Sequence, residues 1–168
     1  SSAEVQAVPV ATQPAVALTG PGTRPGNWGK ATSRVGGRPI FGGELPAAAM
    51  SEEIETPGEG QIRAMLTVAG NPVSSTPNGR RLDRAFAGLE FMASIDLYIN
   101  ETTRFADIIF PSAWTLSEDH VDLIPAAFAV RNCARWSPPV VAAARGERAD
   151  WQILLELIER LGGGPTGM

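Results

Sequence analysis

The fold this sequence predicts is α/β, an open parallel, Rossmann-like sheet flanked by helices, with an irregular N-terminal segment. Three observations carry the prediction. First, short apolar runs recur as "IRAMLTVAG", "FMASID" and "DIIFP", each bounded by Gly, Pro or a polar turn, as buried strands are. Second, Leu82, Phe86 and Leu89 follow at helical spacing between the first two runs, with Asn78 at the N-cap position. Third, the connections between runs are too long for hairpins and match the crossovers that parallel strands require.

Element by element, residues 1–46 are dominated by Pro, Gly, Ala and Val with little periodicity, and "TGPGTRPGNWGKATSRVGGRP" has too many breakers for a long helix or strand. Trp28, Ile40, Phe41 and Leu45 are apolar anchors in that segment, as expected of a chain laid over a partner surface. A short helix is expected over 46–54, where Glu52, Glu53 and Glu55 read as a solvated face. "NETTRFAD" reads as a helical turn with Asn100 or Thr102 capping, and "FAVRN" at 128–132 as an extended edge. "ADWQILLELIERLGGG" is the clearest helix, with Trp151, Leu154, Leu155, Ile158 and Leu161 in one stripe, Asp150 at its start and glycines at its end. The domain reading is an irregular segment over 1–46, a Rossmann-like unit over 47–163 and the start of a linker at 164–168.

Composition narrows the function classes. Apolar residues make up 43% of the 168-residue chain, enough for a core, and the net charge of −4 gives no basic track for nucleic acid. A single cysteine, Cys133, forbids an internal disulfide or an iron–sulfur cluster held by this chain alone, and a single histidine, His120, forbids a His-rich metal site. No run of about 18 apolar residues reads as a membrane span. The chain opens on "SSAEVQAVPV" without Met and stops just after a helix, which reads as a piece of a longer polypeptide. No catalytic residue and no metal ligand is assigned within it. Cys133 reads as a buried structural thiol and His120 as a solvated loop residue. Trp114, Trp136 and Trp151 read as packing anchors, and Arg131 and Asn132 as structurally paired.

The strand ends carry the chemistry. Ligands of open α/β sheets bind beyond the carboxyl ends of the strands. Gly70, Asn71, Pro72, Ser74, Ser75 and Thr76 follow the first run, Asp96 follows Ile95 on the second, and Ser112 follows Pro111 on the third. Small residues let backbone approach a ligand, Asn71 offers a donor and an acceptor, and Asp96 can accept from ribose hydroxyls or a guanine N–H edge. No G-x-G-x-x-G occurs at the first turn, which disfavours a standard NAD site, and no G-x-x-x-x-G-K-[ST] occurs, which excludes a P-loop. A nucleotide-containing cofactor is the reading these residues support.

The G-N-P after the first strand, the D-x-x-x-x-x-T spanning Asp96 to Thr102, the A-D-x-x-x-P of Ala106 to Pro111 and the "DWQIL" helix together resemble the molybdopterin-dependent oxidoreductases of the dimethyl sulfoxide reductase superfamily. The resemblance covers residues 44–163, and 24–43 more loosely. It implies a fragment of a formate dehydrogenase- or nitrate reductase-like catalytic subunit, namely its third, Rossmann-like domain. The implied cofactor is bis-molybdopterin guanine dinucleotide with Mo or W, shared with missing domains of the same chain. Any iron–sulfur cluster would lie in the missing part, and electron-transfer subunits are the implied partners. By the family's pattern Gly70, Asn71 and Pro72 line the nucleotide site, Ile95 and Asp96 contact guanosine, and Asp150 adds a contact from the last helix. Phe105 and the acids of "WTLSEDH" depart from the pattern and leave the substrate open, and the cytoplasm is favoured over the periplasm. The alternatives are a non-catalytic scaffold subunit of the same descent, as in complex I, and an independent nucleotide-binding module.

Overall fold

The structure, a computed structural model, describes residues 4–5, 31–40, 45–121 and 134–162. Trp28, Phe41, the expected edge at 128–132, Arg131, Asn132 and Cys133 lie outside the described residues. The described residues fall into two compact units.

The smaller unit is antiparallel. Strand β1 (Glu4–Val5) pairs with β6 (Ala134–Ser137), which pairs in turn with β5 (His120–Val121). Trp136 is half exposed and its indole N–H donates to Asp119 Oδ2 at 3.0 Å. Thr32 bridges Pro39, and the Ser33 hydroxyl accepts from the Arg38 N–H.

The larger unit is the expected parallel sheet. Strands β2 (Ala64–Val68), β3 (Phe91–Ile95) and β4 (Ile108–Phe110) lie in that order, with Leu66 opposite Ala93 and Ala93 opposite Ile108. Helix α1 (Met50–Glu55), entered through a 3₁₀ turn at Ala47–Ala49, precedes β2. The single turn α2 (Pro72–Ser75) and helix α3 (Gly79–Phe86) join β2 to β3; a 3₁₀ turn (Thr103–Phe105) lies between β3 and β4. Helix α4 (Asp150–Arg160) ends the unit, and Gly162 takes the left-handed conformation just after it at φ +86°.

The core lies between one sheet face and helices α1 and α3. Ile54, Leu82, Ala85, Phe86 and Met92 are its buried centre, with Met65, Leu89 and Phe105 packed against them. Phe105 meets Phe86 edge to face at 6.3 Å, so the residue that departs from the family pattern serves the core. On the other face of the sheet, Leu66, Val68, Phe91 and Ile108 stay 41–45% exposed. The strand Ala64–Val68, expected to be buried, is therefore exposed or half-buried along its length.

Local chemistry explains the entry to α3. Asn78 precedes the helix in the left-handed region (φ 60°), and its side chain makes no cap, contrary to the sequence reading. Asn tolerates that backbone better than most residues. A Cβ on Gly79 would stand 2.0 Å from the Val73 carbonyl oxygen, so only glycine allows α2 and α3 this close.

A second correction concerns the acidic run. Glu53 does not belong to a solvated face: it is 3% exposed. Its carboxylate accepts from Arg34 Nε at 3.2 Å and from the Val35 N–H at 2.9 Å, and Arg34 also reaches the carbonyls of Glu53 and Thr56. Burying a carboxylate requires such pairing. Glu55 pairs with Arg81 on α3 at 2.8 Å.

Candidate functional site

The carboxyl edge of the parallel sheet gathers the sequence-predicted residues. Gly70, Asn71 and Pro72 leave β2, Pro72 standing at the first position of α2, where its missing N–H costs nothing. Asp96 follows β3 directly, and its N–H donates to the Phe110 carbonyl at 3.2 Å, so the ends of β3 and β4 are pinned together. Ile95 is fully buried, and its carbonyl accepts from the Ala69 N–H at 2.8 Å. Asp150 opens α4, and the Arg148 carbonyl just before it accepts from the Ala113 N–H, tying the helix start to the chain leaving β4. Gln152 Oε1 accepts from the Ala149 N–H, half of a capping box.

These residues differ in how far their hydrogen-bonding capacity is used. Asp96 Oδ1 accepts from the Tyr98 N–H at 3.1 Å and Oδ2 from Asn100 Nδ2 at 3.1 Å, which leaves each oxygen a further lone-pair direction. Asn71 Oδ1 accepts from the Thr102 hydroxyl at 2.8 Å, and Nδ2 donates to Glu101 Oε2 at 2.6 Å. That donation, first among several hydrogen bonds, holds the Glu101 carboxyl below the usual carboxylate range. Asp150 Oδ1 is buried and has no hydrogen-bond partner among the described residues. Beside the last strand and α4 lies a cavity of about 510 Å³, floored by Phe110, Pro111, Ile153 and Leu157 and edged by Arg148 and Arg160.

The three motifs divide between the two edges of the sheet. The G-N-P and the Asp96-to-Thr102 motif meet at the carboxyl edge. Asp107 of the A-D-x-x-x-P motif does not join them: its carboxylate accepts from the Met92 N–H at 2.8 Å near the amino edge, where it fastens β3 to β4. Sequence reasoning missed Glu101 as a partner of Asn71, and took Asn100 and Thr102 only as caps. Their signal was the run Asn-Glu-Thr-Thr just after a strand. Its two threonines are both wholly buried, unusual for polar residues in a loop.

A family model described as molybdopterin oxidoreductase matches residues 3–160. The chain belongs to the molybdopterin oxidoreductase family. The assimilatory nitrate reductase catalytic subunit of Bacillus subtilis is 33% identical over 125 residues, 72% of this chain and 17% of that protein. The NADPH-Fe(3+) oxidoreductase subunit alpha of Geobacter sulfurreducens is 32% identical over 126 residues, 73% of this chain and 14% of that protein. The F420-dependent formate dehydrogenase subunit alpha of Methanocaldococcus jannaschii is 29% identical over 121 residues, 67% and 16% respectively. The chain therefore spans about a sixth of the length of these relatives. Membership in the molybdopterin oxidoreductases implies a molybdopterin cofactor. Among the described residues, no group of three or more His, Cys, Asp or Glu is placed to hold a metal, and no helix is long and apolar enough to cross a membrane.

Proposed function

We propose that residues 47–163 are the nucleotide-gripping domain of a molybdenum or tungsten oxidoreductase of the nitrate reductase or formate dehydrogenase kind. They would hold the guanosine end of one dinucleotide of a bis-molybdopterin guanine dinucleotide cofactor. The observation that carries the reading is that Asn71 and Asp96 follow neighbouring strands of a parallel sheet at the same edge. Such sheets take nucleotides at that edge. In this role Asp96 accepts from ribose hydroxyls or the guanine N–H edge, and Gly70 and Pro72 bring backbone close without side-chain bulk.

The residues present fit the group. A buried carboxylate oxygen without a donor among the described residues, as on Asp150, is costly unless something else donates to it. A nucleotide hydroxyl or amine supplies that donor. When bound, the cofactor supplies two-electron redox chemistry at its metal; the residues of this chain bind and orient its nucleotide end. The metal ligand and the grip on the second dinucleotide belong to other domains of the polypeptide. Electron-transfer subunits are the proposed partners.

The test uses the full-length protein. Asp96→Ala lowers guanine content, measured after acid release, because losing an acceptor for buried donors costs about 1.5–3 kcal/mol. Leu161→Ala, on an exposed residue, leaves it unchanged. Equal content in both variants would remove Asp96 from the nucleotide site and favour a scaffold role. The 168-residue chain alone shows no turnover of nitrate or formate.

A further inference from the structure

We infer that Thr102 is a positioning residue for the nucleotide contacts, because it joins Asn71 and Asp96 into one hydrogen-bonded frame; this rests on the nucleotide-gripping reading above. Thr102 is wholly buried, and its hydroxyl accepts from the Val73 N–H at 3.1 Å while donating to Asn71 Oδ1 at 2.8 Å. Its own N–H and that of Thr103 donate to Asn100 Oδ1, at 2.9 and 3.0 Å, and Asn100 Nδ2 donates to Asp96 Oδ2. Thr103 closes the loop: its hydroxyl donates to the Tyr98 carbonyl and accepts from the Asn100 N–H. An unbroken series of hydrogen bonds thus runs from the loop after β2 to the residue after β3, with a buried threonine at its centre.

The frame decides what Asn71 offers. With the amide reversed, its oxygen would face the Glu101 carboxylate, acceptor against acceptor, and the Thr102 hydroxyl proton would lose the oxygen it donates to. The observed orientation avoids both and sets the NH₂ on the side of exposed Glu101. One N–H is used by Glu101; the second is left for an acceptor oxygen of the ligand, a phosphate or a guanine carbonyl. Asn71 therefore presents a donor while Asp96 presents acceptors. That pattern suits a guanosine nucleotide, which carries N–H and hydroxyl donors beside carbonyl and phosphate oxygens.

The experiment compares Thr102→Val, Thr102→Ser, Asn71→Ala and the double variant Asn71→Ala/Thr102→Val in the full-length, cofactor-loaded protein. Guanine retention is followed over time after gel filtration. Losing one buried hydroxyl partner speeds guanine loss roughly tenfold in Thr102→Val. Thr102→Ser restores retention, and the valine change adds nothing once Asn71 is alanine. Hydrogen exchange at the Val73 amide, read in the same samples, rises in Thr102→Val and recovers in Thr102→Ser, whatever the nucleotide does. Unchanged Val73 exchange, a serine variant as leaky as valine, or a valine effect that adds in full to Asn71→Ala overturns the positioning role. If Val73 responds as expected but Asn71→Ala and Asp96→Ala both hold guanine normally, the nucleotide reading itself falls.

Discussion

Helix α3 is eight residues long, and its sequence "GRRLDRAF" holds more charge than apolar surface; α4 is eleven residues long, with four apolar residues in one stripe that Leu161 at its C-cap extends. By sequence α4 is the stronger helix, yet α3 is the better anchored. Leu82, Ala85 and Phe86 are all buried, whereas Trp151, Ile158 and Leu161 of the α4 stripe are 50%, 43% and 84% exposed. The residue that α4 buries is Ile153, outside the expected stripe, with Leu157 one turn on beside Phe110 and Pro111. A helical period shows that an apolar face exists. Whether that face is covered depends on what the rest of the fold brings to it, and here three residues of α3 are buried against one of α4.

Core truncation tests this contrast most strongly. Phe86→Ala should destabilise the larger unit by about 3–5 kcal/mol, seen in denaturant unfolding, because it opens a cavity against Phe105 and Met92. Ile153→Ala should cost about 2 kcal/mol, the low end for an aliphatic truncation, since the site is already bordered by open space. If Ile153→Ala equals Phe86→Ala, the two helices are anchored alike and the contrast fails.

Acid should separate the helices further. Arg160 and then Arg148, through hydrogen bonds, hold the Glu156 carboxyl below its ordinary value. A carboxyl lowered in the folded state stabilises fully above its unfolded pKa and loses that contribution as pH falls through the folded value. The protection of α4 amides, corrected for the intrinsic pH dependence of exchange, should therefore fall only on acidification past the normal carboxylate range, and should fall less in Glu156→Gln. The smallest effect belongs to Leu161→Ala, within about 0.5 kcal/mol of the parent because the side chain already stands in solvent. A drop well beyond that would show the outer stripe of α4 to be covered.

Much of the candidate site was legible because it depends on chain order. Gly70, Asn71 and Pro72 after one strand, and Asp96 after the next, reach a common edge in any parallel sheet. The partnership of Asn71 with Glu101 and Thr102, 30 and 31 residues on, was not legible, since no local period links the two loops. The same holds for Glu53. Three acids near the start of a short helix read as a solvated face, but one of them is buried against Arg34, 19 residues earlier. Asp107, a residue of one of the family motifs, fastens two strands near the amino end of the sheet, a role its place in the motif does not reveal.

Strand and helix periodicity, the breaker-rich turns and the order of motifs were enough to determine a parallel α/β unit and its family. These are properties of neighbouring residues, and local backbone preference and burial period act over a few residues at a time. Tertiary structure alone decided which apolar faces are covered, which carboxylate is buried, and which way the Asn71 amide is turned. Each of those depends on groups that meet only after folding, where desolvation makes a missing partner costly and so selects the arrangement in which every buried polar group finds one. Among the described residues, Asp150 Oδ1 is the buried side-chain oxygen left without such a partner.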